Sequence, residues 1–393
     1  VREMTKPRSA KGVSAAMLTN DPDAFFATEE MPILIEVGGG RGEISQYVRR
    51  ALSSGKHVVT ANKSLLAAEG PALYELAKSN GVSIAFEASC AGGIPIIATL
   101  QFGLAANRIE ALYGILNGTC NYILTEMSHS HKSYDTALAE AQSKGFAEAD
   151  PTLDVSGQDA AQKLAILASL AFGAQVAEEH VDVEGIDQLD LLDIRLSAEL
   201  GYTIKLLAIA QYGKSNGSGL SLRVHPCFIH SDQPLAKVDG PFNAVSVYGD
   251  ALGHTMYLGR GAGQMPTASA VVSDLLNVAA GWYSLAFSRM DLGAAPPAMT
   301  IDPLELQSRF YLRVNSLDMP GTMAKISQVL GDKGISISAM LQHESAAGQF
   351  LPVVIITHDA QQGAVRSALA QFETLAVTDG TPICIPIVDM PEE

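Results

Sequence analysis

Asp159 and Lys163 stand four residues apart in the run Gly157 through Ala168, so they share one face of a helix. The rest of that helix is apolar nearly all round, the pattern of a buried rod. An unpaired ammonium inside a protein costs several kcal/mol, so Lys163 needs carboxylates around it or a task. Glu148, Asp150 and Asp154 lie just upstream and can supply them. Burial favours the neutral form of a lysine, which suits proton transfer; carboxylates oppose that effect and could also hold a substrate ammonium. Two plainer readings compete. Ser156-x-x-Asp159 matches a capping box, and Asp159 with Lys163 matches a routine surface pair worth under ~1 kcal/mol. The residues alone leave all three open.

Three further groups sit where a parallel sheet binds ligands, at the carboxyl ends of its strands. The glycines of Gly38 through Gly42, Gly39 among them, would let backbone N–H groups approach a phosphate at a helix start. Their spacing is not G-x-G-x-x-G, so a tight strand-to-helix turn serves as well. Lys63 follows a buried strand and is either a site residue or a solvated lysine. Glu87 through Pro95 combines a carboxylate with small residues and glycines, which can wrap a cation with Glu87 and backbone carbonyls, or form an ordinary loop. Cys90 has nothing nearby to activate it as a nucleophile. The histidines lack H-E-x-x-H spacing and no G-x-S-x-G occurs, so zinc and serine-hydrolase chemistry have no support; His225 and His254 read as structural.

The elements that must position these groups are those of an α/β protein. With 393 residues, 47% hydrophobic and 17% charged, the chain is long and apolar enough for two or three globular domains. Its net charge of −16 repels nucleic-acid phosphates and anionic lipid, and no run of about 18 apolar residues exists to span a bilayer. Four cysteines without C-x-x-C spacing argue against a disulfide framework and for a reducing, cytoplasmic setting. The sequons at Asn62, Asn117 and Asn216 read as chance.

Residues 1–117 alternate apolar strands and amphipathic helices: strand 32–37, helix 43–53, strand 57–60, helix 65–79 and strand 82–86. That rhythm predicts a parallel, Rossmann-like sheet covered on both faces. Residues 118–263 predict an α+β domain, with a helical stretch 122–144, the helix 157–172, and strands 220–224, 244–248 and 255–258. A helix within 264–290 is expected to return to the first domain. Residues 294–307, with Pro296 and Pro297, read as a linker. Residues 308–393 follow the ferredoxin-like β-α-β-β-α-β order, with strands 310–314, 335–342, 350–357 and 383–387 around helices 321–332 and 361–372.

Several of these segments together resemble homoserine dehydrogenase: Gly55 through Lys63 (GKHVVTANK), Glu87 through Pro95, Gly114 through Leu124 (GILNGTCNYIL), Gly145 through Pro151 (GFAEADP), Asp154 through Leu167, Gly201 through Leu207 and Pro266 through Val272. The resemblance spans nearly the whole chain and implies that residues 118–263 serve substrate binding and dimerisation. It implies reversible oxidation of L-homoserine to L-aspartate 4-semialdehyde with NAD or NADP, on the way to threonine, methionine and isoleucine. It further implies that Lys163 is the acid/base, that Glu148 and Asp159 bind the amino-acid end of the substrate, and that Asp154 joins their network. Lys63 would lie beside the nicotinamide, Gly261 would touch the cofactor, and Glu87, Cys90, Gly92 and Ile94 would hold a monovalent cation, sodium or potassium, largely through carbonyls.

The C-terminal segment resembles an ACT domain, with Asp318 through Ile326 as its strand-to-helix turn. Asp318 and Gly321 would then seat an amino-acid effector, threonine being the expectation, on a homo-oligomer (dimer or tetramer). One departure stands out. The family's G-x-G-x-x-G unit should precede residue 1, and residues 1–3 look like the end of a second strand. A truncated gene model accounts for this, and the polypeptide as written is then expected to bind NAD(P) poorly and be unstable. The alternative is a non-catalytic amino-acid-binding regulator that has lost its phosphate loop. Arg2, Lys6 and Arg8 are the only hint of a 2′-phosphate site.

Overall fold

The computed structural model describes residue 14 and residues 17–28, 30–213, 219–343 and 348–391. The strand end read at residues 1–3 and the basic residues up to Arg8 lie outside them. Strands β1 (Ile33–Glu36), β2 (His57–Thr60) and β3 (Ile84–Ala85) form a parallel sheet in that order. The helices Glu43–Ser53 and Lys63–Ser79 make its crossovers. Asn62 starts the second of these by accepting from Leu65 N–H at 3.1 Å. β3 is shorter than its apolar run suggested. Among the described residues β1 is an edge strand, with Ile35 and Val37 exposed to 42% and 66%.

The boundary expected at residue 117 is moved by β4 (Ile109–Ile115). This strand does not join the parallel sheet. It lies in the middle of a second one, antiparallel to both of its neighbours, with β5 (Asp182–Val183), β6 (Tyr202–Tyr212), β7 (Leu220–His230), β8 (Phe242–Gly249) and β9 (Gly253–Arg260). The order runs β7-β6-β4-β8-β9, with β5 parallel to β7. β6 was not foreseen: its near-continuous apolar run suits a buried helix as well as a buried strand. The stretch 122–144 is two helices, Gly118–Ser130 and Tyr134–Ser143, separated where His131 turns left-handed at φ 52°.

The C-terminal unit has β10 (Gln307–Leu317), β11 (Ile337–Gln342), β12 (Phe350–Thr357), β13 (Ala360–Gln361) and β14 (Thr378–Ile387), with helices Thr322–Asp332 and Gln362–Phe372. Its order β11-β12-β10-β14 is the ferredoxin-like plan. β14 pairs with β7 at Ile387 and Phe228, so both sheets merge into one of 11 strands. Arg313 clamps this junction with two bonds of 2.7 and 2.9 Å to buried Asp193, which also accepts from Tyr311 Oη. Residues 294–307 are a pinned strap rather than a free linker, because Leu220 N–H donates to Met299 O at 2.7 Å and Ala298 N–H to Gln175 O at 2.9 Å.

The segment 264–290 does return to the parallel sheet, but as two helices, Gln264–Ala279 and Trp282–Arg289, bent by 84° at Gly281. The lack of a Cβ lets Gly281 take φ 79° there. No single described helix is long and apolar enough to cross a membrane.

Candidate active site

The apolar helix Gln158–Phe172 is buried as its pattern required, and Lys163 on it is only 8% exposed. Its Nζ donates to Asp159 Oδ2 at 2.7 Å and to the carbonyl of Leu116 at 2.8 Å. The surface-pair reading therefore fails. The capping-box reading fails too, since the helix begins at left-handed Gly157 with no side-chain cap. Asp159 instead bridges two lysines, its Oδ1 lying 3.2 Å from Lys63 Nζ.

Asn117 completes the cluster. It caps the helix Gly118–Ser130 by accepting from Cys120 N–H at 2.8 Å, and its Nδ2 donates to Asp154 Oδ1 at 2.7 Å and Asp159 Oδ2 at 2.8 Å. Thr119 Oγ1 donates to the carbonyl of Phe146 and lies 3.3 Å from Asp154. Burial pushes the Asp159 carboxyl up, but the charges of Lys163 and Lys63 and the hydrogen bonds from Lys163 and Asn117 more than offset it and leave it below its ordinary value. Asp154 goes the other way: burial raises it, as does the charge of Asp159, against the hydrogen bond from Asn117.

These groups open on a cleft of about 550 Å³ at the carboxyl ends of β2 and β3. Lys63, Glu148, Asp154, Asp159, Lys163 and Gly261 all line it, although Glu148 sits exposed on its rim. Asn117 was missed as a site residue because a capping asparagine and a sequon both explain it locally. Asn243, which lines the same cleft and donates to Leu116 O at 2.9 Å, left no sequence signal at all.

Other expectations change. Gly38 and Gly39 spend their N–H groups on Glu36 Oε1, at 2.7 and 3.0 Å, so the Gly39 amide is not offered to a phosphate. Glu36 is buried at the strand end and also accepts from Thr60 Oγ1, which draws the loop inward. Gly261 lines the cleft, yet its missing side chain answers to packing: a Cβ there would come within 2.0 Å of Asn243. Both carboxylate oxygens of Glu87 accept backbone N–H groups, of Ile97 and Ala98 at 2.8 Å each, so its side chain is not a free cation ligand. Burial raises Glu87, with those two amides opposing, and pushes its neighbour Asp274 up to about 7. Ile94 O accepts from Ile96 N–H. No cluster of three or more His, Cys, Asp or Glu able to hold a metal occurs among the described residues. Burial also raises the Cys90 thiol to about 12, which suits its rejection as a nucleophile. In the C-terminal unit, Gly321 opens its helix at φ 91° with free space beside it, and Asp318 is tied by backbone bonds to Gly348 and Gln349.

Family models match in three places: homoserine dehydrogenase over residues 95–276, its NAD-binding domain over 1–87, and the ACT domain over 310–374. The homoserine dehydrogenase of Neisseria gonorrhoeae is 41% identical over 95% of this chain and 86% of its own. The chain belongs to the homoserine dehydrogenase family. The crystal structure of such an enzyme from Thiobacillus denitrificans is 42% identical, covers 94% of this chain and 85% of its own, and superimposes with a TM-score of 0.89. A hyperthermophilic archaeal homoserine dehydrogenase in complex with NADPH is 30% identical, with a TM-score of 0.57 over 66% of this chain and 75% of its own. The protein is thus an oxidoreductase that interconverts L-homoserine and L-aspartate 4-semialdehyde, with an NAD(P)-binding unit and an ACT domain. Nothing in these matches favours a non-catalytic regulator.

Proposed function

We propose that Lys163 moves the proton of this reaction, and that Asp159 positions it. The observation that carries this is the buried ammonium held between Asp159 and Leu116 O on the wall of the cleft. In the reducing direction it donates to the aldehyde oxygen, and in oxidation the neutral amine takes the hydroxyl proton. Both oxygens of Asp159 are committed to lysines and Asn117, and those of Asp154 accept from Asn117 and Thr119, which leaves Glu148 on the rim as the carboxylate for the substrate ammonium. Asp159 would then act through Lys163 rather than on substrate.

The nicotinamide, when bound, supplies the hydride acceptor or donor. The cleft fits it. Ala61, Ala88 and Gly261 keep the wall low enough for a flat ring, and Lys63 stands on the rim where it can meet the nucleotide. NADP is supported by the NADPH complex of the archaeal relative. With the Glu87 side chain and the Ile94 carbonyl already accepting backbone N–H groups, the oxygens left for a monovalent cation are the carbonyls of Cys90 and Gly92. Exposed Leu258, Met265, Leu276 and Trp282 support a homo-oligomer, and four free thiols support a cytoplasmic setting. Threonine is the proposed feedback effector, with Asp318 and Gly321 as one candidate seat.

The protein should form NAD(P)H with L-homoserine, faster with NADP than with NAD. Glu148→Gln should raise KM for homoserine roughly tenfold with little change in kcat, as expected for a lost charge contact to the substrate. Turnover with neither nucleotide would overturn the reading.

A further inference from the structure

The carbonyl of Leu116 that holds Lys163 serves a second donor. Lys163 Nζ reaches it at 2.8 Å and Asn243 Nδ2 at 2.9 Å. Asn243 stands on β8 opposite Gly259 of β9, is 1% exposed and belongs to the wall of the catalytic cleft. Its own Oδ1 is buried and accepts no hydrogen bond from the described residues. A structural asparagine has both ends of its amide bonded, as Asn121 does: Oδ1 accepts from Lys205, and Nδ2 reaches three carbonyls. Asn243 keeps an unpaired acceptor in the interior, a cost that the fold carries for the sake of the donor.

The same amide supports the loop that leads into the helix Gln264–Ala279. A Cβ on Gly261 would lie 2.0 Å from both Cγ and Nδ2 of Asn243 and 2.2 Å from its Oδ1, so the Gly261 backbone is laid against the amide group itself. The loop is gripped from its other side as well. Gly261 O accepts from Gly92 N–H at 3.0 Å, and Arg260 O from Gly93 N–H at 2.8 Å. Gly93 has no room for a side chain there, since a Cβ would come within 2.5 Å of Arg260 O. Gly261, Ala262 and Gly263 line the same cleft as Lys163. The loop therefore moves inward only if the amide moves, and the amide cannot turn without releasing Leu116 O.

We propose that Asn243 is a positioning residue of the reaction. Through the Leu116 carbonyl it sets where the Lys163 ammonium stands, and through Gly261 it sets how near the loop 261–263 comes to the cleft. One side chain then places the proton site and a wall of the cofactor seat together. The inference rests on the reading of Lys163 as the proton carrier. Hydride leaves the carbon whose hydroxyl proton Lys163 takes, so both distances have to be right at once, and a misplacement of about 1 Å can cost roughly 10²-fold in rate.

The test is steady-state oxidation of L-homoserine with NADP on the full chain, with denaturant midpoints recorded for every variant. Asn243→Asp keeps the shape of the side chain but loses the donor; it should lower kcat roughly ten- to hundredfold and leave KM for homoserine within about threefold. Asn243→Ser, shorter and uncharged, repeats the measurement should the buried carboxylate prevent folding. Gly261→Ala should lower kcat and raise KM for NADP, each roughly tenfold, but should cost less than about threefold in an Asn243→Ala background, where the amide no longer opposes the new methyl. A lowered midpoint with parent-like kcat in the folded Asn243 variants, while Lys163→Met loses its activity, would overturn the positioning role alone. Equal losses from Gly261→Ala in both backgrounds would overturn the link to the loop. Parent-like kcat in Lys163→Met would remove the proton reading, and this inference with it.

Discussion

Two buried lysines in this molecule do opposite things. Lys163 sits on a helix at the wall of an open cleft, bonded to Asp159 and one carbonyl. Lys205 sits in the middle of β6, 1% exposed, and does not line the catalytic cleft. Its Nζ donates to Val238 O at 2.6 Å and to Asn121 Oδ1 at 3.2 Å, with Asp239 at 3.3 Å. Asn121 Nδ2 reaches the carbonyls of Val238, Gly240 and Phe242. Lys205 and Asn121 together therefore tie β6 and the helix Gly118–Ser130 to the turn before β8. Burial alone does not make a lysine chemical. What distinguishes Lys163 is a carboxylate shared with a second lysine and empty space where a reacting oxygen can stand.

The sharpest way to break that distinction is to remove each ammonium in turn. Lys163→Met should lower kcat by roughly 10²–10⁴-fold, the range for a lost general acid or base, and should also lower the thermal midpoint, since buried Asp159 and Leu116 O lose a donor. Lys205→Met should keep kcat within about threefold but destabilise the fold by about 2 kcal/mol, since Val238 O and Asn121 lose a buried donor. Steady-state rates and denaturant midpoints on both variants decide it, and an exchanged pattern would refute the contrast. Asn117→Ala should fall between them. Freed from it, Asp154 and Asp159 reorient and kcat drops roughly tenfold, while the lost helix cap costs about 1 kcal/mol.

The smallest effect is in pH, where the two sites act in separate ranges: near neutrality Asp159 adds stability and Lys205 costs it. Asp159 is held below its ordinary 3.8, so its ion pairs stabilise the fold above that value. That contribution is lost as pH falls through the depressed native value. Burial holds Lys205 below its ordinary 10.5, with Asp239 opposing. The unfolded chain then keeps this proton more tightly, so the group costs stability at neutral pH and the cost fades as pH rises towards 10.5. Denaturant midpoints across acid and alkaline series should therefore show an acid limb flattened by Asp159→Asn and an alkaline limb flattened by Lys205→Met.

Much of the scaffold was legible. The helix Glu43–Ser53 and the strands His57–Thr60 and Phe350–Thr357 have the ends their apolar runs and glycine stops suggested. The C-terminal order was equally plain. β4 and β6 were not, because a fully buried run carries no alternation to mark its period. Near the site, Gly39 and Glu87 were read by residue type as open to ligands, but both had already spent the groups in question within the fold.

The amino-acid sequence by itself determined the apolar helix, the Asp159–Lys163 spacing within it and the need of that ammonium for partners. These follow from a repeat of 3.6 residues and from the cost of burying charge, both short-range. Only the tertiary structure decided who the partners are. Lys63 arrives from the parallel sheet, Asn117 and the Leu116 carbonyl from the end of β4, and Glu148 from a loop on the rim. The turn before the catalytic helix likewise meets Val183 and Val224 only because β5 lies alongside β7 in the second sheet. Such contacts depend on which faces the packed elements turn towards each other, and no local periodicity encodes that.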